Sequence, residues 1–134
     1  MFLLDTNACI KLLNGSSAQL VSRLRQCDPG QVGISAITRA ELLYGARRSA
    51  RVSENLRLLK RFLAPFASVP FDDRCAEQYG TIRVDLAARG KPIGPNDLLI
   101  TATARAHDAT LVTHNVREFC RVMGLKIEDW ELKP

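Results

Sequence analysis

Three acidic residues that are far apart in the sequence stand where a folded chain could bring them together. Asp5 follows a short apolar run typical of a strand, Glu41 lies in a helical pattern after a second such run, and Asp97 opens a later helical pattern. Carboxylates that share a pocket repel one another, so they hold protons or move apart unless a divalent cation neutralises them. We therefore expect the three acids to meet within a few ångströms and to share a hard cation.

The segments around these acids alternate between strand and helix patterns. Strands are predicted at residues 2–4, 31–35, 66–70, 109–113 and 125–127. Helices are predicted through residues 8–13, 20–24, 37–46, 56–62, 76–86, 98–106 and 116–122. The alternation favours a three-layer α/β/α fold, in which helices cover both faces of a mainly parallel central sheet. Such sheets bind ligands at the carboxyl ends of their strands, where the three acids would lie.

Residues at the helix ends support these boundaries. Ser16 or Ser17 is expected to cap the second helix, and Asp72 or Asp73 is expected to cap the fifth. Residues 91–95 contain proline and glycine and are expected to form a loop.

The composition is that of one globular domain. Its 134 residues are 46% hydrophobic and 25% charged, which suits a single core and argues against disorder. No apolar run approaches the roughly 20 residues that span a bilayer, and Asp5 interrupts the apolar start, so neither a membrane segment nor a signal peptide is expected. We therefore predict a single domain over residues 1–134, located in the cytoplasm.

Charge and cysteine content narrow the kinds of partner and site. Lys and Arg number 19 against 14 Asp and Glu, a net charge of +5, which suits a polyanionic partner but is also common on solvated surfaces. The cysteines form no C-x-x-C pair and are expected to be reduced, and the two histidines are too few for a histidine-rich metal site. Any metal would therefore depend on hard oxygen ligands.

Each of the three acids also has a purely structural explanation. Asp5 could cap the first helix, and Asp97 could cap the helix that follows Pro95. Glu41 could close a capping box that begins at Thr38. Spacing alone leaves both the structural and the metal-binding interpretations open.

Four short motifs and the tail form an ordered set that extends along nearly the whole chain. The motifs are LDTN at Leu4–Asn7, ELLYGA at Glu41–Ala46, GPNDLLITA at Gly94–Ala102 and LVTHNVREF at Leu111–Phe119. The tail is GLKIEDW at Gly124–Trp130. Together they resemble the successive signatures of PIN-domain toxins of the VapC type.

This resemblance implies a PIN-like fold and an endoribonuclease toxin from a prokaryotic toxin-antitoxin pair. Asp5, Glu41 and Asp97 would be the catalytic acids that hold Mg²⁺ or Mn²⁺ against an RNA phosphate. Asp5 and Asp97 would be direct ligands, whereas Glu41 would bind through water or orient the nucleophile. A cognate antitoxin protein would contest the same surface, and the family resemblance makes a homodimer the expected assembly.

Position 115 departs from the family pattern. Many PIN domains carry a fourth acid where Asn115 stands, and an amide oxygen can bind a metal but supplies no charge. Glu118, one turn further on, could partly compensate, or it could be an exposed acid favoured by the dipole at a helix N-terminus. Whether one or two ions act is therefore left open.

Other polar and basic residues are candidates for supporting roles. Thr6, Asn7 and Thr113 could hold the carboxylates or touch phosphate, although each is equally well explained as a turn or cap residue. The basic residues expected to grip the RNA backbone are Arg47, Arg48, Arg51 and Lys91.

Other function classes fit the sequence less well. A phosphatase with an aspartyl nucleophile would need a second Asp two residues after Asp5, where the chain has Asn7. Glycine-rich phosphate loops of the G-x-G-x-x-G or G-x-x-x-x-G-K-[ST] type are absent. The remaining alternative is a catalytically weak PIN-like domain that binds RNA or protein without cutting, and Asn115 keeps that alternative open.

Overall fold

Five short strands form one sheet. The computed structural model describes residues 1–133, so Pro134, the last residue of the predicted domain, lies outside the described residues. The strands are β1 Phe2–Leu4, β2 Val32–Ser35, β3 Ala67–Val69, β4 Thr110–Val112 and β5 Lys126–Glu128. Their order is β3-β2-β1-β4-β5, and every neighbouring pair is parallel. The predicted mainly parallel sheet is confirmed, and it is parallel throughout.

Helices connect the strands. They are α1 Thr6–Asn14, α2 Ala18–Arg25, α3 Ala36–Arg47, α4 Val52–Leu63, α5 Asp73–Ala88, α6 Pro95–Ala106 and α7 Val116–Phe119. A three-ten turn, Pro29–Gln31, precedes β2. The elements lie where they were predicted, with ends that differ by a few residues.

The predicted length of the last helix is wrong. The pattern favoured a helix over 116–122, but α7 ends at Phe119. The backbone N–H of Arg121 donates to the carbonyl of Glu118 at 3.2 Å, and this three-residue spacing is that of a tight turn rather than an α-helix.

Helix caps decide between the structural interpretations of the polar residues. Ser17 caps α2 and Asp72 caps α5, each by accepting the backbone N–H three residues further on. Asp5 caps α1 in the same way, through Oδ1 and the N–H of Ala8 at 2.8 Å. The capping explanation for Asp5 is therefore confirmed, and it does not conflict with a second role.

The capping explanations for the other two acids are wrong. Ser35 caps α3, since its Oγ accepts the N–H of Thr38 at 3.0 Å; Glu41 therefore lies in the second turn, beyond the reach of a capping box. Gly94 precedes α6, and Asp97 lies inside its first turn in a helix without a side-chain cap hydrogen bond. Neither acid is needed to begin its helix.

Apolar side chains cover both faces of the sheet. Successive residues of a strand point to opposite faces, so in β1 Leu4 packs against α1 to α4 while Leu3 packs with Ile100 of α6. A third cluster, which includes Ile82 and Leu98, joins α5 to α6. Helical layers on both faces confirm the three-layer α/β/α fold. Within residues 1–133, none of the helices has both the length and the apolarity that a membrane crossing requires.

Candidate active site

Asp5, Glu41 and Asp97 line one cleft of about 470 Å³. Asp5 directly follows the central strand β1, Glu41 is carried on α3 after β2, and Asp97 lies in the first turn of α6. The strand order places β1 between β2 and β4, so the chain leaves β1 toward one side and later returns to the other. Clefts at such a switch point are where parallel sheets bind ligands.

Asp5 is held rigidly at the base of the cleft. Its side chain caps α1, its backbone N–H donates to the carbonyl of Val112 at 3.0 Å, and the residue is only 4% exposed. Burial raises the pKa of Asp5, although hydrogen bonds from Thr113 and from the N–H of Ala8 act in the opposite direction. A buried carboxylate with this balance favours a positively charged neighbour.

Glu41 is positioned by a hydroxyl from the first helix. The Thr6 hydroxyl donates to Glu41 Oε1 at 2.7 Å, and the buried Thr38 hydroxyl lies 3.1 Å from Thr6 Oγ1. Because a carboxylate only accepts, the single Thr6 proton goes to Glu41 and Thr38 supplies the other hydrogen bond. This chain of contacts joins α1 to α3 and fixes the direction of the Glu41 carboxylate.

Asp97 faces a fourth acid, Glu118. Burial, followed by the charges of Glu118, Asp5 and Glu41, raises the pKa of Asp97 to about 6. Glu118 is held from both sides: Oε1 accepts the N–H of Gly94 at 2.9 Å, and Oε2 accepts Nδ2 of Asn115 at 2.7 Å. Glu118 is therefore part of the acidic surroundings of Asp97 rather than a freely exposed acid at a helix start.

The three carboxylates share the cleft, but their oxygen atoms do not form a compact group. In the described part of the chain, two groups have all their donor atoms within 4.8 Å of one another, and the set of Asp5, Glu41 and Asp97 is not one of them. Mutual repulsion of the negative charges opposes closer approach. The donors are all hard oxygens, so this set suits Mg²⁺ or Mn²⁺.

An acid in each of the two compact groups is already paired with a basic side chain from outside the group. In the group of Asp72, Cys75 and His107, Asp72 pairs with Arg74 at 3.3 Å. The second group consists of His114, Asp129 and Glu131; there Glu131 pairs with Lys11 at 2.6 Å and His114 contacts Asp129 at 2.9 Å. Neither group was expected from the sequence.

The predicted supporting polar residues lie at or beside the cleft. Thr6, Asn7 and Asn115 line it. Thr113 is buried behind it, and its Oγ1 accepts the backbone N–H of Asn115 at 3.0 Å.

The four basic residues predicted to bind RNA do not all lie at the cleft. Arg48 lines the cleft, whereas Arg47, Arg51 and Lys91 are exposed and lie outside the lining set of residues 1–133. Arg51 instead contacts Glu54 at 3.4 Å, within one turn of α4. Of the basic residues proposed for RNA, Arg48 is therefore the one that belongs to the cleft.

Several lining residues were not predicted. They include Tyr44, which is 67% exposed, and Ile10, Gly45 and Asn96. Tyr44, Gly45 and Arg48 follow Glu41 by three, four and seven positions, which places them on the same face of a helix. The helical period around Glu41 was thus a usable signal for this wall of the cleft.

Comparison with known proteins identifies the family. Residues 2–125 match the PIN domain family. The tRNA(fMet)-specific endonuclease VapC of Shigella flexneri is 39% identical over 129 residues, which cover 96% of this chain and 97% of that protein. Ribonuclease VapC2 of Haemophilus influenzae is 36% identical over the same shares of the two chains.

Solved structures agree with the sequence relatives. The structure of VapBC2 from Rickettsia felis, bound to a DNA fragment from its promoter, matches with a TM-score of 0.91 and 36% identity, covering 96% of this chain and 98% of that one. DNA-bound VapBC from Salmonella typhimurium matches with a TM-score of 0.91 and 36% identity, covering 96% and 97%. The chain belongs to the PIN domain family and, within it, to the VapC ribonucleases.

Proposed function

We propose that this VapC-type endoribonuclease is metal-dependent, with Asp5, Glu41 and Asp97 as the catalytic acids around Mg²⁺ or Mn²⁺. One observation carries the proposal: three acids from different elements line one cleft, where burial, followed by the charges of Glu118, Asp5 and Glu41, raises the pKa of Asp97 to about 6. Acids arranged so that they destabilise one another's charge are typical of functional sites.

Each side chain has a separate task in this proposal. Asp5 and Asp97 bind the cation directly, while Glu41, directed by Thr6, binds through water or orients the attacking water. When bound, the cation would neutralise the acids, offset charge on a phosphate oxygen and lower the pKa of a water molecule. Arg48 and the overall net charge of +5 attract the RNA backbone.

The substrate of a relative suggests the first RNA to test. The Shigella flexneri protein is named a tRNA(fMet)-specific endonuclease. We propose RNA as the substrate of this chain, with initiator tRNA as the first choice and an unstructured RNA of equal length for comparison.

A protein partner is proposed for the surface beside the cleft. Solved relatives are VapBC complexes, and we propose a cognate antitoxin for this chain. A groove of about 440 Å³ shares Ile10 and Glu41 with the cleft and continues past Leu13 and Leu58, which are 38% and 44% exposed. An apolar antitoxin segment fits this groove. Assembly as a homodimer and a cytoplasmic location complete the proposal.

The decisive experiment compares cleavage by wild type and two matched variants in Mg²⁺, in Mn²⁺ and in EDTA. Asp5 and Asp72 both cap a helix by accepting the N–H three residues further on, and asparagine retains that capping ability. Asp5→Asn should abolish cleavage while Asp72→Asn cuts like wild type, with both folded by circular dichroism. Cleavage that persists in EDTA or in Asp5→Asn would contradict the proposal.

The alternative is a domain that binds RNA or protein without cutting. Asn115 favours it, because this position supplies no charge to the cleft. That alternative predicts RNA retention in gel-shift assays and intact RNA under all three conditions.

A further inference from the structure

Tyr44 is the one exposed aromatic residue of the described chain. Of the eight aromatic side chains, Tyr44 is 67% exposed. Six others form three edge-to-face pairs, namely Phe2 with Trp130, Phe62 with Phe66, and Phe71 with Tyr79. Phe119 is buried in the core. The fold therefore uses every other aromatic ring for packing and leaves this one in water, where its burial energy is not realised.

The position of the ring is specific. Tyr44 lies one turn after Glu41 on α3 and lines the same cleft as Asp5 and Asp97. Its neighbour Leu43 is 43% exposed but lines a different groove, with Leu56, Phe66 and others. Helix α3 thus exposes two faces to solvent, and Tyr44 lies on the face that lines the cleft with the acids.

A cation accompanies the ring. The guanidinium carbon of Arg48 lies 5.3 Å from the centroid of the Tyr44 ring, within the range of a cation–π contact. No ion pair between Arg48 and a carboxylate is found among residues 1–133. The guanidinium therefore steadies the ring while its charge stays available to a phosphate.

We propose that Tyr44 is a stacking surface for a nucleobase that neighbours the scissile phosphate, with Arg48 supporting the ring. This inference rests on the proposed nuclease function, since the base is placed by a phosphate held at Asp5, Glu41 and Asp97. A ring that stacks on any base adds affinity without selecting a sequence. Tyr44 is a binding residue in this proposal and does not touch the reacting atoms.

The first test is steady-state cleavage of RNA by Tyr44→Ala, Tyr44→Phe and Tyr44→Trp. Loss of one stacked base should raise KM about 5- to 150-fold with little change in kcat, and both aromatic variants should restore it. Leu43→Ala, which removes an adjacent exposed side chain from the same helix, should leave KM unchanged. If Tyr44→Ala has the wild-type KM, or if Phe and Trp fail to restore it, the proposal is wrong.

The second test locates the base. RNA oligonucleotides with a single abasic nucleotide on either side of the cleavage site are bound to wild type and to Tyr44→Ala, with Ca²⁺ in place of Mg²⁺. At one position the abasic change should weaken binding to wild type but not to Tyr44→Ala, which is the signature of a direct contact. Additive losses at every position would overturn the proposal.

These outcomes distinguish failure of the nuclease proposal from failure of the stacking proposal. If wild type binds RNA but cuts none, the nuclease proposal fails while the abasic experiment still decides on stacking. If Tyr44→Ala leaves RNA affinity intact and weakens only the complex with the antitoxin, the ring is a protein contact and the stacking proposal is wrong.

Discussion

Two aspartates on neighbouring helices have opposite electrostatic surroundings. On α5, Asp85 accepts hydrogen bonds from Arg89 at 2.7 and 3.1 Å, and these bonds lower its pKa. On α6, Asp97 is half-buried among acids, and burial followed by the charges of Glu118, Asp5 and Glu41 raises its pKa to about 6. The same residue type is stabilised as an anion on the surface and destabilised as an anion in the cleft.

The contrast shows where the chain tolerates unfavourable charge. It has 19 basic residues, and on the surface several of them pair with acids. The cleft has Arg48 at its edge, yet that guanidinium lies over Tyr44 rather than on a carboxylate. Retaining unpaired acids at one place costs stability and leaves a site that a cation can satisfy.

The largest expected difference is in catalysis. Asp97→Asn should reduce RNA cleavage at saturating Mg²⁺ by at least about 100-fold. Mutating residues that only support a metal ligand typically lowers affinity or activity by about 10- to 100-fold, and losing a direct ligand should cost at least as much. Asp85→Asn, its counterpart on α5, should change the rate less than about twofold because surface pairs contribute little. Initial rates of cleavage of labelled RNA measure the effect of each variant. Equal losses of activity in the two variants would show that the two aspartates do not differ in their role.

Cation binding should depend on pH through Asp97 and not through Asp85. A proton competes with the cation for Asp97, whose pKa is raised to about 6, so Mn²⁺ affinity should be constant above about pH 7 and fall about thirtyfold by pH 4.5. The pKa of Asp85 is lowered, so Asp85→Asn should give the same profile. Isothermal titration calorimetry at several pH values checks this, and a flat profile in wild type would contradict it.

Adding an acid to the cleft should sharpen the contrast. Asn115→Asp places another negative charge where Nδ2 of Asn115 now donates to Glu118. Mn²⁺ affinity at pH 7.5 should rise about fivefold, the effect of about 1 kcal/mol of added attraction in a solvated cleft. Asn115→Ser is the uncharged control, and an Asp variant that binds no better than Ser would show that position 115 lies outside the cation's reach.

The smallest expected effect is on stability without metal. An unfolded Asp titrates near about 3.9, whereas the pKa of folded Asp97 is raised to about 6, so the folded state binds more protons between these values and loses stability as pH rises through them. Solvent screens much of this effect at a half-buried residue, so in EDTA at pH 7 Asp97→Asn should melt about 3 °C above wild type, with no difference near pH 4.

Asp85→Asn is again the control, and it should change the melting temperature in the opposite direction. Because the pKa of Asp85 is lowered, its charged form stabilises the folded state. This contribution is present at pH 7 and is lost as the pH falls through the lowered pKa of the folded protein. The variant should melt less than about 2 °C below wild type at pH 7 because the pair is exposed. A lower melting temperature for Asp97→Asn at pH 7 would show that its charge is not destabilising.

Much of the fold could be predicted because local signals agreed with the global arrangement. Strands around Leu4 and Val112 and helices with caps such as Asp72 follow from apolar period and cap chemistry. The error at α7 arose because its apolar pattern continues past Phe119, while the backbone tightens into turns that the pattern does not reveal. Whether residues 1–134 form a single domain stays a prediction.

The site was predictable in outline and not in detail. Parallel topology explains why Asp5 and Asp97 share a cleft, but the contacts of Glu118 with Gly94 and of Thr6 with Glu41 span 24 and 35 positions and leave no trace in sequence spacing. The helical period places Tyr44 on the same face as Glu41, but it does not show whether an aromatic ring there packs in the core or lies in solvent. The assignment of Asp5, Glu41 and Asp97 as catalytic stays a prediction until variants are assayed.

The order of the strands also has a consequence for when activity first arises during synthesis. The central strand β1 is made first, but one of its two neighbours, β4, comes from residues 110–112. The carbonyl that accepts from the Asp5 backbone is that of Val112, and the acids of α6 and α7 come from the same late part of the chain. A nascent chain that ends before β4 has Asp5 and Glu41 without the strand whose carbonyl holds the Asp5 backbone, so the cleft cannot assemble until residues 110–112 have been made.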